Sequence, residues 1–136
     1  MPNRIEHVGF VVDDLPTAQA FLRDVLEFDL DREMDLSHRG VQVAFYQTGS
    51  IQIELLEAIT PEGRAKRLGP PGTKGKIEHI AIIVDSLAET LEKLAGHGVR
   101  WTPVDPPYVV SVRRHWVMTD PETTGGIMYQ FIELDE

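Results

Sequence analysis

The chain has 136 residues with 13 basic and 22 acidic side chains, a formal net charge of -9, and no cysteine. This length predicts one domain with a sizeable core, and the lack of cysteine excludes disulfides, thiolate metal sites and a cysteine nucleophile. The acidic balance argues against a nucleic-acid partner. Because the longest apolar runs are five residues and no hydrophobic leader opens the chain, we expect a soluble cytoplasmic protein without a membrane span.

The first part of the chain predicts a β-α-β-β-β unit. The β-branched run Ile5–Val12 is typical of a strand. Asp14 and Pro16 suit the start of a helix, whose apolar residues recur at helical spacing as far as Leu26. Three more strands are predicted: a weak one over Phe28–Met34, then Val41–Tyr46 and Ile51–Glu57 around a hairpin signal.

Residues 61–76 predict a linker. Gly69-Pro70-Pro71-Gly72 breaks regular structure. Five of the 13 basic residues lie in this short segment: Arg64, Lys66, Arg67, Lys74 and Lys76. Two interpretations stay open, a solvated loop that keeps the acidic halves soluble and a cationic rim for an anionic substrate.

The last part of the chain predicts the same unit again. Ile77–Val84 is a predicted strand, Ser86-Leu87-Ala88-Glu89 is a capping box, and Gly96-His97-Gly98 ends the helix. The further predicted strands are Val99–Thr102, His115–Thr119 and Ile127–Leu134.

An internal repeat joins these two parts. Ile5–Leu15 lies 72 residues before Ile77–Leu87, and six of the eleven positions are identical. A second match, 79 residues apart, relates Ile53–Glu57 to Ile132–Glu136. We therefore predict one domain made of two modules, residues 1–60 and 77–136, with extra loop residues before the last strand.

The repeat selects four metal-capable side chains, His7 and His79 with Glu54 and Glu133. Each lies among apolar strand neighbours, and a buried carboxylate needs a partner or a metal. A single strand histidine is more often a structural residue, and a single strand glutamate more often lies on the wet face. Recurrence of both types in a duplicated unit favours a metal, and two imidazoles with two carboxylates suit a divalent first-row ion.

These motifs resemble the vicinal oxygen chelate superfamily of glyoxalases, bleomycin-resistance proteins and dioxygenases. The resemblance covers nearly the whole chain and is carried by Ile5–Asp14, Ile53–Leu56, Glu78–Asp85, Gly125-Gly126 and Phe131–Leu134. It implies an α+β fold of two tandem βαβββ modules, whose mixed sheet curls around a metal-binding cavity. It also implies a homodimer and one divalent ion (Co, Ni, Mn, Zn or Fe) held by His7, Glu54, His79 and Glu133.

The four-ligand set resembles the isomerase branch, typified by methylmalonyl-CoA epimerase and glyoxalase I. That branch implies a small-molecule substrate, a CoA thioester or a glutathione adduct, and proton transfer α to a metal-bound carbonyl through an enediolate. Glu54 and Glu133 are then the candidate bases. A glyoxalase I-like lactoylglutathione lyase, a ferrous extradiol-type dioxygenase and a non-catalytic antibiotic-binding resistance protein stay as alternatives.

Other polar and aromatic residues have weaker assignments. One of Arg113, Arg114 and His115 is a candidate for lining the cavity, the alternative being an edge strand protected by charge. Trp101, Trp116 and Tyr129 have two alternatives, lining the cavity or filling the core, and the core is favoured.

Overall fold

The computed structural model describes residues 3–103 and 114–134. Within these ranges the chain forms eight strands: β1 Arg4–Val12, β2 Asp29–Leu36, β3 Val41–Gln47, β4 Gln52–Ala58, β5 Gly75–Ile83, β6 Trp101–Pro103, β7 Arg114–Thr119 and β8 Met128–Leu134. The α-helices are α1 Leu15–Ala20, α2 Pro61–Arg67 and α3 Leu87–Gly96. A π-helical turn, Phe21–Val25, follows α1, and short 3-10 turns span Ser37–Arg39 and Pro121–Thr123.

The strands form one mixed sheet in the order β2-β3-β4-β1-β5-β8-β7-β6. The pairs β1–β4 and β5–β8 are parallel, whereas β2–β3, β3–β4, β6–β7 and β7–β8 are antiparallel. Because β2 and β6 end this order without pairing to each other, the sheet is not closed. The predicted α+β class and the repeated β-α-β-β-β order are confirmed.

The chain folds into two compact units whose limits lie inside β1 and β5. The first unit is His7–Glu78, and the second combines Met1–Glu6 with His79–Glu136. The limits predicted from the repeat, near residues 60 and 77, mark the sequence modules and not these units.

Alternation along the strands gives the sheet two apolar faces in the first unit. On the face of His7, the buried core consists of Val11, Val41, Val43, Phe45, Leu56 and Leu68. On the opposite face, α1 and its π-turn contribute to a cluster of Leu15, Leu22, Ala44, Tyr46 and Leu55. The helix therefore covers one face and leaves His7 on the other.

The second unit repeats this division. The face of His79 carries Ala81, Ile83, Trp116 and Ile132, with Met118 packed against them. The helix face carries Val84, Leu87 and Val117. At the start of α3, the Ser86 side chain accepts a hydrogen bond from the Glu89 backbone N–H at 3.1 Å, as the capping box predicts.

The basic linker contains an unpredicted helix, α2. Thr60 caps it by accepting from the Gly63 N–H at 3.0 Å, and Pro61 occupies its first turn. Arg64 donates to the carbonyl oxygens of Ala58 and Asp13 at 3.1 and 2.7 Å. Part of the predicted loop is therefore tied to the sheet by its own basic side chains. Among the helices of the described ranges, none has the length and apolar character needed to cross a membrane.

Candidate metal centre

His7 and Glu54 lie side by side on one face of the first unit. Parallel pairing of β1 with β4 sets Gly9 opposite Glu54 and His7 opposite Gln52, so the two side chains share a face. The His7 Nε2 atom lies 3.3 Å from the Glu54 Oε1 atom. His7 is 3% exposed, so this pair is largely removed from water.

An aromatic contact holds the His7 ring. Phe45, which pairs with Glu54 across β3 and β4, meets His7 edge to face with ring centroids 5.4 Å apart. The Arg32 guanidinium carbon lies 3.9 Å from the centroid of the Phe45 ring, a cation–π geometry. The orientation of the imidazole is therefore set by packing in addition to its contact with Glu54.

Arg67 adds positive charge near this pair. Its guanidinium forms a bidentate ion pair with Glu78, with Nε–Oε2 and Nη2–Oε1 distances of 2.9 and 2.8 Å. Burial acts to lower the pKa of Arg67, but the hydrogen bonds that Arg67 donates to Glu78 and the charges of Glu78 and Glu54 outweigh it, so the pKa stays above its usual value. Arg67, one of the five basic residues of the linker, therefore interacts with carboxylates.

His79 joins His7 and Glu54 in a three-residue group. It lies in β5 and is 4% exposed. One ligand atom each from His7, Glu54 and His79 lies within 4.8 Å of the other two. Three of the four predicted ligands are therefore close enough to share one ion.

The strand register gives Glu54 a different counterpart in the second unit from the one that the sequence repeat indicates. In the first unit Gly9 pairs with Glu54, and in the second unit Ala81, 72 residues later, pairs with Gln130. Gln130, and not Glu133, is therefore the counterpart of Glu54. It is buried, with 8% exposure, and it lies on the face of His79.

Glu133 lies on the opposite face of the sheet from His79, since it is three positions beyond Gln130. Its Oε1 atom accepts a hydrogen bond from the backbone N–H of Leu87, at the start of α3, at 2.7 Å. Glu57 does the same for Leu15 at the start of α1, at 2.6 Å. The equivalence of Glu54 and Glu133 is corrected on this basis, and the role of Glu133 as ligand and base stays a prediction.

Three residues named as candidates for lining the cavity, Arg113, Arg114 and His115, follow α3 in the chain. Arg113 lies outside the described residues, and Arg114 begins β7. His115 pairs with Glu133 across β7 and β8 and shares its face, whereas Trp116 pairs with Ile132 on the face of His79. His115 therefore does not lie on the face that carries His79.

The profile of the glyoxalase/bleomycin resistance protein/dioxygenase superfamily matches residues 6–114. The chain belongs to this superfamily. The match confirms the resemblance that the sequence motifs carry, and it includes His7, Glu54 and His79.

Known relatives place the chain near the epimerases of the superfamily. It is 30% identical to the mitochondrial methylmalonyl-CoA epimerase of Bos taurus over 98% of this chain and 74% of that protein. The solved structure of the hypothetical protein BH1468 from Bacillus halodurans C-125 has a TM-score of 0.81 and 28% identity, covering 100% and 97% of the two chains. A methylmalonyl-CoA epimerase solved with methylmalonyl-CoA and ammonium has a TM-score of 0.82 at 20% identity, covering 98% and 96%, which shows a shared fold.

Proposed function

We propose that this protein is a divalent-metal-dependent epimerase that acts on the carbon α to the carbonyl of a small acyl-CoA thioester. The observation that carries the proposal is the grouping of His7, Glu54 and His79 within 4.8 Å. The substrate class is supported by the bovine epimerase and by the similar structure solved with methylmalonyl-CoA. A homodimer, as the resemblance implies, belongs to the same proposal.

The donor set fits a divalent first-row ion. His7 and His79 supply buried imidazole nitrogens and Glu54 a carboxylate oxygen, the ligand types such ions accept. Gln130 completes the set as an uncharged oxygen donor at the position equivalent to Glu54. When bound, the ion supplies Lewis-acid stabilisation of the charge that develops on the substrate carbonyl oxygen.

Glu54 is the proposed proton acceptor. Among the described residues of the first unit, it is the carboxylate that lies beside His7 on the site face. Its second role is to hold the proton taken from the α-carbon until the proton returns to carbon. Phe45 and Arg32 keep the neighbouring His7 ring in place while this occurs.

The proposal is tested by α-proton exchange in deuterated water. Purified protein, dialysed free of metal and then loaded in separate samples with cobalt, nickel, manganese or zinc, is incubated with methylmalonyl-CoA, and deuterium at the α-carbon is measured by mass spectrometry. We expect incorporation with at least one ion and none in the metal-free sample.

A parallel incubation with the hemithioacetal of methylglyoxal and glutathione separates the two isomerase-branch reactions. Formation of lactoylglutathione without exchange in methylmalonyl-CoA would replace the epimerase by a glyoxalase I-like lyase. Stoichiometric metal content that falls on substitution of His79 to alanine supports the site independently of the substrate. A protein that binds none of the four ions would contradict the proposal.

A further inference from the structure

Trp116 carries a buried polar atom without a partner. Its side chain is 9% exposed, and its indole nitrogen Nε1 is excluded from solvent and has no hydrogen-bond partner in the described part of the chain. The indole N–H can only donate. A buried donor without a partner is unfavourable because it has lost its hydrogen bond to water, so a native structure that retains one calls for an explanation such as a ligand.

Trp116 lies on the face of the sheet that carries His79. Trp116 pairs with Ile132 across β7 and β8, and the neighbouring pair on the same face is Met118 with Gln130. Ala81 and Ile132 pack around the indole in the same cluster. The side chains of this cluster carry no oxygen acceptor, and Gln130, which lies on the same face, does not accept a hydrogen bond from the indole N–H.

The first unit has no such donor at the matching position. Val43 pairs with Leu56 where Trp116 pairs with Ile132, and both valine and tryptophan belong to the cluster on the histidine face. Valine fills that position with apolar atoms alone. The fold therefore does not require a polar aromatic side chain there, and the indole N–H is a feature added in the second unit.

We propose that Trp116 is a substrate-binding residue that donates its indole N–H to an oxygen of the acyl group of the bound thioester. The inference rests on the proposed function for the identity of the substrate, and it adds a residue that the metal centre does not include. A carbonyl or carboxylate oxygen is the acceptor that the buried N–H lacks, and the apolar residues around the ring suit a short acyl chain.

The first experiment follows the indole N–H signals of the wild-type protein. The chain has two tryptophans, so ¹⁵N-labelled protein gives two indole signals, which Trp101→Phe assigns. We expect methylmalonyl-CoA to move the Trp116 signal downfield and to leave the Trp101 signal in place. Free CoA, which lacks the acyl oxygens, is the matched ligand and leaves both signals unchanged.

The second experiment removes the donor while keeping an aromatic ring. Trp116→Phe in the metal-loaded protein is expected to raise the KM for methylmalonyl-CoA about tenfold, the value of one hydrogen bond to a charged or strongly polar oxygen. Trp101→Phe makes the same chemical change on the helix face and is expected to leave KM unchanged.

The outcomes separate the two proposals. If methylmalonyl-CoA binds and exchanges its α-proton but the Trp116 signal stays in place and Trp116→Phe keeps the wild-type KM, the inference is overturned and the proposed function stands. If methylmalonyl-CoA does not bind the wild-type protein, both are overturned, because each takes a small acyl-CoA thioester as the ligand and methylmalonyl-CoA is the thioester tested. Should Trp116→Phe fail to fold, as judged by its thermal transition, the titration of the wild-type protein decides alone.

Discussion

The two units share a backbone plan but differ in the side chains that it presents. Among the side chains compared at the candidate site and at the helix starts, two pairs are identical, the buried histidines and the glutamates at the helix start: His7 with His79 and Glu57 with Glu133. Two other positions differ, with Glu54 against Gln130 and Val43 against Trp116. The repeated glutamates hold the helix starts, and the repeated histidines place an imidazole in each unit. The residues that differ give each unit its own chemistry.

This comparison assigns the carboxylate of the proposed site to the first unit. Glu54 contributes a carboxylate, but its counterpart Gln130 is neutral, and both lie on a histidine face. Arg67 is held by Glu78 and also interacts with the charge of Glu54. The first unit is therefore proposed to supply the base, and the second to supply uncharged donors, including the Trp116 N–H.

The largest expected loss of activity comes from giving Glu54 the side chain of its counterpart, Gln130. Glu54→Gln removes the proposed base and makes the first unit resemble the second, so we expect α-proton exchange to fall about 100- to 10,000-fold. Glu57→Gln is the matched control, since it makes the same change in the same strand but on the helix face. Exchange rates from mass spectrometry and metal content are measured for both variants.

The reverse exchange sharpens the same comparison. Gln130→Glu adds a carboxylate where the first unit has one, and we expect it to tighten binding of the divalent ion because the ligand set gains a negative charge. Full exchange activity in Glu54→Gln, or weaker metal binding in Gln130→Glu, would contradict the assignment of the two positions.

The fold followed from local patterns in the sequence, because strand alternation, helical spacing and caps act over a few residues. His7, His79 and Glu54 were predicted from the internal repeat, the two histidines through matching strands and Glu54 through its match to Glu133, whose place the strand register gives to Gln130. The helix α2 was not predicted, although Thr60 and Pro61 carry its start signal, because Gly63 and the following Gly-Pro run favour a loop.

Gln130 could not be found without the strand register. Four residues, 48–51, separate β3 from β4, whereas eight, 120–127, separate β7 from β8. The similar Ile-Glu-Leu triplets at 53–55 and 132–134 align Glu54 with Glu133, but a shift of three residues in a strand moves a side chain to the other face. Pairing across strands, which is a long-range property, decides between the two alignments.

A smaller effect, on stability, is expected at the two glutamates that accept hydrogen bonds from the helix starts. Glu133→Ala removes the acceptor for the Leu87 N–H, and Glu57→Ala does the same at Leu15. Each is expected to lower the free energy of unfolding by about 1 kcal/mol, as loss of a helix cap does, when measured by urea denaturation. Each should retain the bound ion. Loss of the ion in Glu133→Ala at unchanged stability would instead support the ligand role predicted from the sequence.

The smallest effect concerns the longer connection of the second unit. Asp120 accepts from the Glu122 N–H at 3.0 Å and from Arg100 Nη2 at 2.8 Å, and these contacts, the backbone one first, hold the pKa of Asp120 below its usual value. A lowered folded-state pKa stabilises the fold above the unfolded value of about 3.9, and that contribution disappears as the pH falls through the folded-state pKa.

We therefore expect Asp120→Asn to lower the Tm slightly at pH 7, and the difference from wild type to vanish in acid. Asp29→Asn, the same chemical change at an exposed aspartate of β2, is the control. A Tm difference for Asp120→Asn that stays constant from pH 7 to below the folded-state pKa would show that the turn is held by shape alone. In that case the extra residues between β7 and β8 stabilise the strand register without help from the Asp120 charge.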